Sequence, residues 1–364
     1  MEPIRVLQVV SKMNMGGAEN FIMNIYRNID RNLVQFDFIS HGKGIFDDEI
    51  EELGGKIYYL NYINKIGPYK YKKQLRNFFK EHNEYSIIHS HVNQTSGAIL
   101  SVAKECNINV RIAHSHSTGT LSNFFIRMYK RKLQDELNDS ATLRIACSDA
   151  AGKWLFRESK YIVINNGIDV NKFLYSEQKR NILRKELKIS NEKIVIGHVG
   201  RFSKVKNHKF LLECFKKLLS ENNNYVLILL GDGELKNDIV NYVEKLNLND
   251  NVIMLGNKKN ACDYYNVMDL FVFPSLYEGI PLTLIEAASN GLKVFCSDTI
   301  DNRFIGINGF NYLKLSDGTD YWVNRIRNEE GNFIRISINR DFIEQYDIHR
   351  IANTLQKIYL QKDY

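Results

Sequence analysis

The chain has 364 residues, 44% of them hydrophobic and 25% charged, with 4 prolines and no biased tract; this excludes a disordered or fibrous protein and suits two domains of about 150–200 residues each. Its five cysteines are scattered and never form a C-x-x-C pair, which argues against a disulfide framework or a cysteine-rich zinc site and makes a reducing cytoplasm the expected compartment. The formal net charge is +7, of which +5 falls in residues 1–165, an excess that suits an anionic partner there without naming it.

Ile4–Val10 is a short β-branched run that ends at Asn14-Met15-Gly16-Gly17. From Ala18 onward Phe21, Ile22, Ile25 and Ile29 recur at helical spacing. Strand, glycine turn and helix open a parallel βαβ unit. Further strands are predicted at Val34–Ser40, Lys56–Leu60, Ser86–His91, Val110–Ser115, Leu143–Ser148 and Tyr161–Ile164. Asn165-Asn166-Gly167-Ile168-Asp169 breaks the rhythm, and a polar stretch from Ser176 to Glu192 follows. Strands are then predicted at Lys193–Val199, Tyr225–Leu230, Val252–Leu255, Leu270–Pro274 and Lys293–Ser297, and Asp341–Leu360 reads as a closing helix. The expected fold is α/β: two doubly wound domains, 1–165 and 166–340, with 341–364 crossing back to the first. Ligands of such sheets bind at the carboxyl ends of the strands, so a cleft between the two sheets is the expected site.

The most informative stretch runs from Phe273 to Ala287. A strand ends at Pro274, a loop carries Glu278 and Gly279, and a helix is predicted to begin near Pro281. Amides over Gly279, Ile280, Pro281 and Leu282 are then placed to bind a pyrophosphate. Glu278 can accept hydrogen bonds from sugar hydroxyls and Glu286 from a ribose. Two isolated glutamates are as readily a dipole partner and a solvated helix residue; the strand–Pro–loop–Gly–helix context favours the functional reading. Arg201 and Lys206 follow the strand Lys193–Val199, where a guanidinium fork and an ammonium can stabilise a leaving diphosphate without a metal. The chain has no Asp-x-Asp, so no metal and no cofactor are expected. Neither Gly16-Gly17 nor Gly231-Asp232-Gly233 completes G-x-G-x-x-G, which argues against a nicotinamide dehydrogenase. His89-Ser90-His91 and His114-Ser115-His116 invite a zinc reading, since alternate strand residues share a face, but no nearby cysteine supports it.

The segment around Glu278 and Glu286 resembles the paired-glutamate motif of retaining glycosyltransferases with the GT-B fold, in the family-four group that builds capsules and exopolysaccharides. Gly16-Gly17-Ala18-Glu19 is similar to that family's glycine loop, Asn166-Gly167-Ile168-Asp169 to its interdomain signature, and Val199-Gly200-Arg201-Phe202 with Lys206 to its phosphate-binding pair. Gly231-Asp232-Gly233-Glu234 is similarly placed, and Ala113–Ser117 and Ser297–Ile300 match the capsular subgroup. The resemblance covers nearly the whole chain. It implies two Rossmann-like domains, the first binding an acceptor and the second a nucleotide sugar. It further implies transfer of a hexose-type sugar from a nucleoside diphosphate, UDP first among them, to a saccharide or lipid-linked saccharide, with retention. His116, or else His114, is implied to orient the sugar and donate a hydrogen bond. Gly16 and Gly17, with Arg201, Lys206, Glu278, residues 279–282 and Glu286, are implied to hold the donor. Pro281-Leu282 and Lys293 depart from the common motif.

Lys65–Lys80 is basic with interleaved aromatics, and is expected to bury Tyr71, Leu75, Phe78 and Phe79 while Lys70, Lys73 and Lys80 stay wet. Arg127–Lys132 is a second basic cluster. Either is an ordinary amphipathic helix or a face that rests on anionic headgroups. No nucleic-acid module accompanies them, so no nucleic-acid partner is expected. The start shows no charged-then-apolar leader, and no run nears the ~18–20 apolar residues that span a bilayer, so the expected location is cytoplasmic or peripheral on the membrane's inner face. Two rivals remain: a UDP-sugar epimerase of the same fold and a non-catalytic scaffold docked at the membrane.

Overall fold

The structure, a computed structural model, describes residues 2–14, 16–117, 119, 124–329, 331, 334–337 and 340–361. Met15 of the glycine loop and residues 362–364 of the closing segment lie outside them. The chain forms two compact units, the first built from Met1–Gly167 and Asp347–Tyr364, the second from Ile168–Tyr346.

In the first unit the chain runs β1 (Ile4–Val10), α1 (Gly17–Asn28), β2 (Val34–Ser40), α2 (Asp47–Glu52), β3 (Ile57–Tyr59) and α3 (Ile63–Glu81). It continues through β4 (Ile87–Ser90), α4 (Ser96–Glu105), β5 (Val110–Ser115), α5 (Phe124–Ser140), β6 (Leu143–Ala146), α6 (Asp149–Phe156) and β7 (Ile162–Val163). The strands form one parallel sheet in the order β3-β2-β1-β4-β5-β6-β7. The order turns back at β1, which lies between β2 and β4. Ligand sites of such sheets lie at the strand ends beside this point.

In the second unit the helices and strands are α7 (Glu177–Glu186), β8 (Ile194–Val199), α8 (His208–Glu221), β9 (Tyr225–Leu230), α9 (Lys236–Lys245), β10 (Val252–Gly256) and α10 (Ala261–Tyr264). They are followed by β11 (Leu270–Phe273), α11 (Leu282–Ser289), β12 (Lys293–Ser297), β13 (Phe310–Leu313), α12 (Gly318–Arg327) and α13 (Arg340–Glu344). The parallel sheet has the order β10-β9-β8-β11-β12-β13, with its reversal at β8 and β11. Both sheets are covered on both faces, which is why their strands read as unbroken apolar runs; all six residues of β9 are buried.

The last helix, α14 (Ile348–Gln361), returns to the first unit. Ile348, Ile351, Ala352, Leu355, Ile358 and Tyr359 form one stripe at helical spacing and join the core of Phe21, Tyr26, Phe36 and Phe38. Each such buried side chain contributes roughly 1.5–3 kcal/mol over an exposed one.

The structure adjusts several expected boundaries. The crossing back begins at Asp347 rather than 341, because α13 packs Phe342 into the second unit's core. The polar stretch 176–192 holds α7, whose first turn is capped by Ser176 accepting from the Lys179 amide and whose Leu183 is buried. β13, not expected from the sequence, closes the second sheet. α3 buries Tyr71, Leu75, Phe78 and Phe79 and exposes Lys70, Lys73 and Lys80, and it is broken at Gly67 (φ 78°), just before Pro68. Cys106, Cys214, Cys262 and Cys296 are free thiols.

Candidate active site

In the second unit, the loops that leave β8 and β11 are stitched together. The Leu276 amide donates to the Val205 carbonyl at 2.8 Å, and Asn207 Nδ2 donates to the Pro274 carbonyl at 3.1 Å. This brings Lys206 Nζ to 2.7 Å from Glu278 Oε1 and sets it 4.5 Å from the centre of the Phe273 ring. Both side chains of the pair are largely buried, at 15% and 20% exposure, so a cation and a carboxylate are held ready at the strand ends.

Arg201 has a different carboxylate partner. Its Nε donates to Glu234 Oε2 at 3.0 Å, with exposures of 73% and 53%. An ion pair this exposed is worth little, so an incoming anion can take the guanidinium at small cost. Glu234 comes from the loop after β9, which touches the loop after β8. Gly231 adopts φ 137°, and a Cβ there would strike the Gly200 carbonyl. Asp232 accepts from Lys236 and from the Gly233 amide, which hold its carboxyl below the usual range.

Pro281 is the N-cap of α11 and has no N–H, so the anion-binding amides expected over 279–282 cannot include it; the first helical amide belongs to Leu282. No side chain caps this helix start. Glu286 sits in the second turn of α11 and accepts from the Tyr265 hydroxyl at 2.5 Å. Burial pushes its carboxyl up to about 6.

Several polar groups here carried no sequence signal. Ser275 Oγ and Thr283 Oγ1 are buried without a hydrogen-bond partner among the described residues, and they bracket the Glu278 loop. His198, at the end of β8, donates from Nδ1 to the Val272 carbonyl at 2.9 Å, which leaves Nε2 bare next to Gly200. His208, the first residue of α8, is buried with neither ring nitrogen partnered among the described residues, and burial pulls its pKa down to about 4. A cavity of about 660 Å³ opens beside His208, between α8 and α9. Arg201, Lys206, Glu278 and Glu286 do not line it, so the expected donor residues and this cavity are separate features.

In the first unit, Gly16 is the N-cap of α1 in an extended conformation and lines a cavity of about 480 Å³ with Lys12, Glu19, His41, Tyr62 and Lys65. A Cβ on Gly17 would meet nothing within 4 Å, so protein packing does not require glycine there. The four histidines gather where β4 and β5 pair. His89 Nδ1 lies 2.7 Å from the Tyr359 hydroxyl, and its Nε2 lies 3.2 Å from His114 Nδ1. His91 Nδ1 lies 2.8 Å from His116 Nε2, and its Nε2 lies 2.8 Å from Gln8 Oε1. His89, His91 and His114 offer nitrogens within 4.8 Å of one another, the nearest approach to a metal-ligand set among the described residues. The separations of 2.8 and 3.2 Å within the ring pairs are those of N–H···N hydrogen bonds. Burial lowers the pKa of all four rings, to about 3 for His89 and His116, which keeps them neutral. His114 is fully buried, whereas the His116 side chain is only partly so, its Nδ1 atom being buried.

Two family models divide the chain between them: "Glycosyltransferase Family 4" matches residues 15–172 and "Glycosyl transferases group 1" matches residues 179–312. EpsF of Bacillus subtilis, a putative glycosyltransferase, is 35% identical over 332 residues, covering 88% of this chain and 86% of its own. The chain belongs to the glycosyltransferases. Among this enzyme's other relatives, the capsular polysaccharide biosynthesis glycosyltransferase CapH of Staphylococcus aureus is 27% identical over 99% of both chains. An Escherichia coli enzyme named UDP-Gal:alpha-D-GlcNAc-diphosphoundecaprenol alpha-1,3-galactosyltransferase is 25% identical, over 89% of this chain and 87% of that one. The crystal structure of Anabaena HepE in complex with UDP superposes with a TM-score of 0.74 at 19% identity, over 99% of this chain and 97% of that one, and places this glycosyltransferase in the GT-B fold.

Proposed function

We propose that this glycosyltransferase moves a hexose-type sugar from UDP to a hydroxyl of a lipid-linked saccharide in capsular or exopolysaccharide assembly, with retention of configuration and without a metal. The observation that carries the reading is the Lys206–Glu278 pair, 2.7 Å apart and largely buried at the strand ends beside the start of α11. The names of two relatives support it, one assigned to capsular polysaccharide and one to a diphosphoundecaprenol-linked acceptor, as does the UDP bound in the HepE structure.

In this reading the pyrophosphate takes Lys206 and Arg201 from their carboxylates and meets the first amides of α11. Glu278, released from Lys206, accepts from hydroxyls of the sugar, and Glu286 from the ribose. Gly16 and Gly17 leave open backbone for the phosphates in the first unit, and His116 is the first unit's contact with the transferred sugar. The bond from the anomeric carbon to the β-phosphate oxygen breaks and the bond to the acceptor oxygen forms on the same face. The acceptor proton passes to the departing phosphate, whose negative charge the two cations stabilise as it develops. No cofactor takes part.

The acceptor's lipid calls for a membrane surface. No helix among the described residues is long and apolar enough to cross one. Exposed Lys70, Lys73 and Lys80 on α3, and Arg127, Arg131 and Lys132 with Ile126 and Met128 on α5, supply charge and apolar tips for resting on anionic headgroups.

The test is calorimetric titration of UDP into the full chain with and without EDTA, then into Lys206→Ala and Arg201→Ala. Products from a panel of nucleotide sugars and lipid-linked acceptors are read by mass spectrometry. Affinity should fall at least tenfold in each variant and ignore EDTA. Unchanged UDP affinity in Lys206→Ala would sink the reading, and conversion of a UDP-sugar without any acceptor would replace it with an epimerase.

A further inference from the structure

The histidine cluster of the first unit contains two hydrogen-bonded chains that end differently. One runs from the Tyr359 hydroxyl through His89 to His114, and a hydroxyl either donates or accepts, so that end fixes no direction. The other begins at Gln8 on β1, which is 1% exposed and places its amide oxygen 2.8 Å from His91 Nε2. With the oxygen on that side the amide can only accept, so His91 carries its proton on Nε2 and leaves Nδ1 as a lone pair, while the Gln8 amide nitrogen is left buried without a hydrogen-bond partner among the described residues. That lone pair lies 2.8 Å from His116 Nε2, which must therefore be the protonated nitrogen of His116. A neutral imidazole carries one proton, so His116 Nδ1 is bare. It is buried and has no hydrogen-bond partner among the described residues. A buried acceptor left without a donor costs about 1–3 kcal/mol, which a hydroxyl reaching this atom would recover.

We propose that Gln8 and His91 lock His116 in its Nε2–H tautomer, so that His116 meets its ligand as a hydrogen-bond acceptor through Nδ1, and that the ligand group is a hydroxyl. The ring thus receives a hydrogen bond, where the family resemblance implied that it gives one. Gln8 and His91 are positioning residues that act through His116. That the hydroxyl belongs to the transferred sugar rests on the function proposed above; the tautomer does not.

The test is a two-bond proton–nitrogen correlation spectrum of the full chain labelled with 15N-histidine, recorded at pH 7.5, with His116 assigned by its loss in His116→Gln. The expected result is a pyridine-type Nδ1 and a pyrrole-type Nε2 on His116. The reverse pattern, which the Gln8 amide turned over would produce, overturns the proposal, as does an average of two exchanging tautomers. Gln8→Met removes the acceptor at similar volume and should leave His116 without a single tautomer. It should also lower kcat/KM for the nucleotide sugar about tenfold at unchanged UDP affinity. Gln8→Glu restores the acceptor and should restore the wild-type pattern; a Gln8→Met spectrum identical to wild type overturns the role of Gln8. The Nε2–H tautomer in a protein that binds no UDP would leave this inference standing and sink the functional one. The reverse tautomer in a protein that binds UDP does the opposite.

Discussion

Glu286 is a carboxylate whose cost depends on pH. Its ordinary value of 4.5 is raised to about 6 by burial, and the Tyr265 hydroxyl offsets only part of that penalty. A folded-state pKa above the unfolded one means that the folded protein holds the proton more tightly. The stabilisation is therefore complete below pH 4.5 and is lost as pH rises through about 6. We expect the wild type to lose up to about 2 kcal/mol across that window relative to Glu286→Gln, which keeps an oxygen for Tyr265. Thermal melts of both proteins at pH 4.5 and 8 check this; a gap that does not widen toward pH 8 contradicts it. Some of this residue-scale chemistry was open to sequence reading. Lys206 and Glu278, at the ends of two strands, were expected at one site, and they meet. Arg201 was expected at the same site; in the structure it pairs with Glu234, from a third loop, a partner that no local pattern can show. The Gln8–His91–His116 chain was hidden for a related reason. It depends on which strands are neighbours, and β1 pairs with β4 only after the crossover through α1, β2, α2, β3 and α3.

Helices α4 and α5 are held close by Gly97. A Cβ there would run into the Leu133 carbonyl and come within 3.0 Å of the Leu137 amide, both backbone atoms of α5 that cannot swing aside. We expect Gly97→Ala to push the helices apart and destabilise the first unit by about 1–3 kcal/mol, despite alanine's better helix propensity. Urea unfolding checks the sign; a stabilised variant would mean that α5 yields freely. Strands were the most legible elements, because burial on both faces makes them short β-branched runs. α7 was missed because 176–192 is dominated by charge, although Ser176 at its N-cap and the buried Leu183 mark a one-sided helix. β13 was missed because Phe310-Asn311-Tyr312-Leu313 is brief and polar at its second position, and only its pairing with β12 gives it away. Gly67 before Pro68 signals the interruption of α3, since the residue before a proline avoids the helical region.

For the whole molecule, two parallel sheets and a returning helix were legible from the alternation of strands and helices. The exact point of return was not, because Asp341–Leu360 reads as one helix, whereas α13 and α14 belong to different units. Each unit carries one tryptophan, Trp154 in the first and Trp322 in the second, so variants with a single tryptophan report on the units separately. Leu355 on α14 is 1% exposed within the first unit's core. We expect Leu355→Ala to cost that unit about 2–5 kcal/mol and to move the Trp154 signal far more than the Trp322 signal. Equal movement of both would show that the units unfold together. The return of α14 also sets the order of events during synthesis. The first unit takes α14 from beyond the second unit, so its domain is interrupted by the other one. On the ribosome, α1 emerges with Ile22, Ile25 and Tyr26 ready for a partner that is translated only after the whole second unit. The inserted domain can finish while the enclosing one waits, and that nascent apolar stripe is a natural place for a chaperone to hold.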